Sequence, residues 1–169
     1  MKSTNTPAPV TRRTFLRTGA VLTAGIATLS RAARAQTNKN SKLRIFHMGV
    51  GGVAGMQRKG LKDHPMVEFA GFCDVERREL DKISKEFPNA WTLADYREAY
   101  ANRVDQFDAV IVDTPDFHHT PMMLTALKHD KHLYGQKPLV QQLDELRLIR
   151  EGLAAKPKLN LPPDHGRCR

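Results

Sequence analysis

At 169 residues with 40% hydrophobic content, the chain has room for one ordinary core and is too short for two. Its formal net charge of +9 suggests a nucleic-acid or membrane-surface role until it is divided along the chain. Residues 1–35 hold six cations and no acid, leaving 21 cations against 18 acids, about +3, in the rest; with no basic stripe interleaved with aromatics, that balance argues against nucleic acid as a partner.

The first 35 residues read as an address. Thr11-Arg12-Arg13-Thr14-Phe15-Leu16-Arg17 sets paired arginines ahead of an uncharged run over 18–30 that is rich in Gly, Ala and Thr. This resembles a twin-arginine (Tat) signal. A run of about 13 residues makes a helix of roughly 20 Å, too short for a hydrocarbon core about 30 Å thick, so no stable membrane span is expected. Ala33-Arg34-Ala35 presents small residues to a signal peptidase and predicts cleavage before Gln36. The protein is then exported, periplasmic or extracytoplasmic, by a route that carries folded proteins and permits cofactor loading in the cytoplasm. A basic tail that happens to hold two arginines is the alternative.

After a linker over 36–42, strand and helix alternate. Residues 43–48 form a short apolar run ending at glycines, 52–62 suit a helix, and 67–73 form a second apolar run bounded by acids. Residues 76–87 predict a charged amphipathic helix stopped by Pro88, and 93–102 a second helix carrying Ala94, Ala99 and aromatic residues. Residues 108–115 hold four consecutive apolar residues, three of them β-branched, as a central parallel strand buried on both faces requires. A helix over 121–129, a short strand over 131–134 and a helix over 143–155 follow, the last with Leu143, Leu146, Ile149 and Leu153 spaced along one apolar face. Repeated βα units predict a doubly wound parallel sheet, a Rossmann α/β fold, over 43–155, with ligand at the carboxyl ends of the strands. Residues 156–169, with three prolines and no periodic apolar pattern, predict an irregular tail. Of the two cysteines, Cys73 reads as a small buried hydrophobe inside a strand, and Cys168 stands at the extreme C-terminus; neither has metal-ligand spacing.

The glycine-rich turn carries the first chemical signal. Gly49-Val50-Gly51-Gly52-Val53-Ala54-Gly55 follows the first strand and matches G-x-G-x-x-G/A through Gly49, Gly51 and Ala54. The chemistry needs a residue free to turn at Gly49, no side chain at Gly51 where pyrophosphate approaches the backbone, and a small residue where helix meets strand. Gly52 joins the same anion-facing turn. Asp74, 25 residues after Gly49 at the end of the second strand, is placed to accept from an adenosine ribose hydroxyl. A hydrogen bond to a charged group is worth roughly 1.5 to 3 kcal/mol, whereas a 2′-phosphate at Asp74 would meet like charge. This favours NAD; Arg77 and Arg78 just beyond keep NADP open.

The second signal is a pair of turns. Thr114-Pro115-Asp116-Phe117-His118-His119, then Ala126-Leu127, then Lys131-His132-Leu133-Tyr134-Gly135-Gln136-Lys137-Pro138-Leu139 follow the central strand in order. Here the chain resembles the Gfo/Idh/MocA oxidoreductases, named after glucose-fructose oxidoreductase and inositol dehydrogenase, over about 43–155. That family shows a T-P-x-x-x-H turn and an E-K-P turn after the next strand, and transfers hydride between NAD(P) and a sugar or polyol. The resemblance makes Lys137 the active-site lysine, whose ammonium would stabilise alkoxide-like charge on the reacting hydroxyl. It puts His119 near the cofactor as a second catalytic candidate, and Thr114, Pro115 and Gln136 beside the dinucleotide. Pro138 would fix the lysine turn, a cis peptide being one way to do so. Gln136 stands where the family usually has glutamate and His118 where it often has tryptophan, so the lysine lacks a negative partner. His118, His119, His129 and His132 have no close ligand spacing, and no metal is expected.

The resemblance also implies an α+β substrate domain after the Rossmann domain, for which residues 156–169 have no room. The expectation is therefore a truncated oxidoreductase, through a frameshift, a premature stop or an interrupted gene, with sheet and helix surface left uncovered and open to self-association. Two functions remain open: an NAD(P)-dependent oxidoreductase acting on a sugar or polyol, or a noncatalytic dinucleotide-binding module. A methyltransferase built on a similar glycine turn explains neither the Thr114-Pro115 nor the Lys137-Pro138 turn.

Overall fold

The computed structural model describes residues 42–161. The paired arginines, the cleavage site and Cys168 lie outside the described residues. Within them, five parallel strands, β1 (Leu43–Met48), β2 (Val67–Cys73), β3 (Trp91–Leu93), β4 (Ala109–Val112) and β5 (His132–Gly135), form one sheet in the order β3-β2-β1-β4-β5. The five helices are α1 (Ala54–Leu61), α2 (Arg77–Glu86), α3 (Tyr96–Asn102), α4 (His119–Lys128) and α5 (Leu143–Ala154). This is the doubly wound α/β architecture the alternation predicts.

Alternate residues of each strand feed opposite cores. Phe46 and Met48 of β1 and Val110 and Val112 of β4 pack with Tyr100 of α3, Met123 and Leu127 of α4 and Ile149 of α5. Ile45 of β1, Phe69 of β2 and Ile111 of β4 face the other way, onto Ile83 of α2. On that second face, α1 and α2 leave part of the sheet open as an apolar groove of about 600 Å³, lined by residues such as Ile45, Leu61, Ile111 and Tyr134.

Three sequence expectations need correction. Residues 91–93, read partly as helix, form β3, and α3 starts only at Tyr96 with Asp95 Oδ1 capping Arg97 N at 2.9 Å. Three residues are too few to show a period, and the pairing of Trp91 with Gly71 decides the matter. Second, α4 begins at His119; Pro121 falls in its first turn, where no helical N–H is needed. Third, Leu143 is 80% exposed as the first residue of α5, while Ile149 alone on that helix is fully buried. The stretch after Ala155 is irregular, as expected, and docked as far as it is described. Asn160 O accepts from Leu133 N at 3.0 Å on the open edge of β5, and Leu159 and Leu161 pack on the core.

Among the described residues no helix is long and apolar enough to cross a membrane.

Candidate functional site

Every strand of a parallel sheet ends on the same rim, and the chemistry-bearing residues gather there. Gly49 leaves β1 at φ +81°, and a Cβ on it would lie 2.6 Å from the carbonyl of Asp113, so only glycine turns here against β4. Gly49 N donates to Cys73 O at 2.8 Å, stitching the turn to the end of β2. Gly52 adopts φ +54°, and nothing crowds the space where its Cβ would stand; at Gly51 the nearest atom is 3.9 Å away. Ala54, fully buried, opens α1 where helix meets strand, as the small residue there requires. The turn thus leaves open backbone beside a helix N-terminus, an arrangement suited to a phosphate.

Asp74 completes the adenosine side. Its Oδ2 accepts from Val50 N at 2.8 Å and its Oδ1 from Glu76 N at 2.9 Å. Each oxygen keeps a lone pair for a ribose hydroxyl, and the two backbone donors hold the carboxylate in place. Gly49, Gly51, Asp74, Thr114 and Pro115 line one cleft of about 760 Å³. The Asp113 backbone, Tyr96, Arg97, Phe117 and His118 also line it, and sequence reasoning had assigned none of these a place there. Arg97 is held by Asp95, Nη2 to Oδ2 at 2.6 Å, while Arg77 and Arg78 pair with Asp81 and Glu76 on exposed helix surface. The cations nearest the Asp74 end thus already have carboxylate partners.

The second pair of turns lies at the next strand exits. Thr114-Pro115 leaves β4, and Gln136-Lys137-Pro138 leaves β5 with a cis peptide between Lys137 and Pro138. Lys137 is exposed and Gln136 buried, with Gln136 Oε1 accepting from Lys137 N at 2.7 Å. Neither lines the cleft, although both belong to the same rim.

His119 faces inward. Its ring is fully buried, with Nε2 2.7 Å from Thr114 O and Nδ1 2.8 Å from Pro138 O. Both nitrogens face backbone carbonyls, of which a neutral ring can donate to one, and the ring, without exposed surface of its own, ties the two turns together. The six-residue spacing reveals a histidine in the right turn but not which way its ring points.

Cys73 is buried at the strand end, and burial pushes its thiol up to about 12, which leaves it an inert hydrophobe. Among the described residues no group of His, Cys, Asp or Glu could hold a metal ion.

A family model described as an oxidoreductase family with an NAD-binding Rossmann fold matches residues 43–159. The chain is 26% identical over 113 residues to an inositol 2-dehydrogenase of Rubrobacter xylanophilus, covering 66% of this chain and 32% of that protein. It is 31% identical over 116 residues to a glycosyl hydrolase family 109 protein of Solibacter usitatus, covering 63% and 26%. Among solved structures, scyllo-inositol dehydrogenase from Lactobacillus casei, with bound NAD(H) and scyllo-inositol, shares the fold at a TM-score of 0.68 and 18% identity, over 73% of this chain and 36% of that one. The chain therefore spans about a third or less of the length of these relatives.

Proposed function

The chain belongs to the Gfo/Idh/MocA oxidoreductases, a family with an NAD-binding Rossmann fold, and from that we propose that it is the dinucleotide-binding part of an enzyme moving hydride between NAD and a sugar or polyol. The observation that carries the reading is a rim cleft in which a positive-φ glycine turn faces a carboxylate held by two backbone donors. In this reading Gly49, Gly51, Gly52 and Ala54 shape the pyrophosphate turn, and Asp74 accepts from the adenosine ribose. Thr114, Pro115, Gln136 and Lys137 flank the nicotinamide end. NAD, when bound, supplies the two-electron acceptor. The Lys137 ammonium hydrogen-bonds the reacting hydroxyl and stabilises the negative charge that develops on its oxygen. His119 holds the lysine turn against the Thr114 turn. The relatives named for inositol and for glycosyl hydrolysis support a cyclic polyol or a sugar as substrate class.

The test is NADH binding by fluorescence, followed by NAD reduction with a panel of inositols and aldoses. Lys137→Ala is expected to lower turnover about 100-fold or more, with NADH affinity within about threefold of wild type. Unchanged turnover would remove Lys137 from the chemistry. A noncatalytic dinucleotide-binding module is the second reading. It draws on Gln136, a neutral side chain that gives the lysine no negative partner; tight NADH binding with no turnover on any substrate would favour it.

Export by the twin-arginine route is part of the proposal and rests on Arg12-Arg13 and the Ala33-Arg34-Ala35 site. Changing both arginines to lysine should abolish appearance of the protein in the periplasmic fraction. Undiminished export would reject the signal.

A further inference from the structure

Beneath the glycine turn lies a polar cluster that the proposed chemistry does not use. His47 of β1 and Asp113 at the exit of β4 are completely enclosed, both side chains at 0% exposure, with His47 Nε2 2.7 Å from Asp113 Oδ2. Their remaining polar atoms, His47 Nδ1 and Asp113 Oδ1, are buried without a hydrogen-bond partner. The same holds for Nε of Arg58 on α1, whose Nη1 donates to Val50 O in the turn at 2.8 Å. Buried polar atoms are ordinarily satisfied, so three bare atoms in one cluster call for an explanation.

The cluster adjoins the site. His47 stands two residues before Gly49, roughly 7 Å along the strand. Gly49 packs on the backbone of Asp113, which itself opens onto the cleft. The charged groups facing His47 are Asp113 from β4, Arg58 from α1 and Asp74 from the exit of β2; Glu79 and Glu86 of α2 in turn face Arg58. From β2 come the uncharged rings of Phe69 and Phe72. Burial pushes the His47 imidazole below its ordinary value, against the pull of the Asp113 hydrogen bond and charge. With Asp113 Oδ2 as the acceptor, a neutral His47 ring carries its hydrogen on Nε2 and leaves Nδ1 bare.

We propose that the His47–Asp113 pair takes up one proton from solvent when a dinucleotide pyrophosphate seats on the glycine turn. This rests on the dinucleotide-binding reading above. Pyrophosphate brings two negative charges next to a buried carboxylate, and like charge raises proton affinity. The two bare atoms are the places where the proton can add. At Nδ1 it gives imidazolium beside carboxylate, and at Oδ1 it gives imidazole beside carboxylic acid. The pair titrates as a unit, and no other bond changes. Linkage sets the sign: proton uptake on binding makes the dinucleotide bind more tightly as pH falls through the window between the titrations of the free and bound pair.

The experiment is calorimetric titration of the full chain with NADH in two buffers of different ionisation enthalpy. At about pH 6 the buffer dependence should report uptake of up to about half a proton per NADH, with affinity up to about tenfold higher at about pH 5.5 than at about pH 8. His47→Gln and Asp113→Asn should each bind NADH without buffer-dependent heat. Wild-type binding with no proton uptake, or uptake persisting in both variants, as His118 at the cleft would produce, overturns the proposal. Should the variants not fold, the ring signals of His47 in the wild-type protein decide: their titration moves to higher pH with NADH bound, and an unmoved titration overturns the proposal. Failure to bind NADH at any pH would reject the dinucleotide reading as well, which separates the two failures.

Discussion

Gly49 is where backbone and ligand demands coincide. Its φ of +81° and the Asp113 carbonyl 2.6 Å from any added Cβ leave a methyl group nowhere to go, because the obstacle is backbone rather than a movable side chain. Gly49→Ala should cost about 2 to 4 kcal/mol of stability, read by urea denaturation, and weaken NADH binding by about 100-fold or more in a fluorescence titration. A variant within about 0.5 kcal/mol of wild type would refute the close approach. The glycine turn and Asp74 were legible in the sequence because their spacing is local and each follows the end of a recognisable strand. The His47–Asp113 pair was not: its members are 66 residues apart, and each sits in a run that reads as an ordinary strand. For His119 the turn was legible, while the direction of its ring, onto Thr114 O and Pro138 O, was not.

The elements were legible in proportion to their length. Strands β1 and β2 and helices α2 and α5 carry enough residues for an apolar pattern to emerge, and β4 shows itself by four consecutive apolar residues, whereas β3 has three residues with a threonine in the middle. What fits β3 to β2 is a shape match: Gly71 of β2 lies against Trp91, and a Cβ there would collide with the indole ring. Trp91 in turn packs against Phe46 and Phe107, with centroids 5.0 and 6.4 Å away, so displacing it disturbs the aromatic core. Gly71→Ala is expected to destabilise by about 2 to 4 kcal/mol through overpacking and loss of this contact. Near-UV circular dichroism should lose the Trp91 signal as thermal stability falls; an unaltered spectrum and melting point would contradict the packing.

At the scale of the whole molecule, one ion pair joins the start of β1 to the start of β4. Asp108 Oδ1 accepts from Arg44 Nη2 at 2.6 Å and its Oδ2 from Arg44 Nε at 3.0 Å, while Asp108 N donates to Arg44 O at 2.9 Å. Burial alone would raise the Asp108 carboxyl, but the hydrogen bonds and charge of Arg44 outweigh it and hold the group below its ordinary value. A depressed folded value means stability that is present above about pH 3.9 and lost as pH falls through the folded value. Because Arg44 is 40% exposed, the pair is worth only about 1 kcal/mol. Asp108→Asn should therefore lose about that much at pH 7 and less in acid that protonates Asp108 in the folded protein, compared by urea denaturation at both. An equal loss at both would mean the effect is not electrostatic.

The strand order has a consequence in time. β1 precedes the other described strands in the chain, yet it occupies the middle of the sheet, and its β4 side is covered only by residues such as Asp108, 64 positions after Arg44. At roughly 5 to 20 residues per second, that partner follows about 3 to 13 seconds later. For those seconds the nascent chain holds an apolar strand with a bare edge outside the ribosome. Codon tempo and chaperone capture across that interval should affect the yield of native protein.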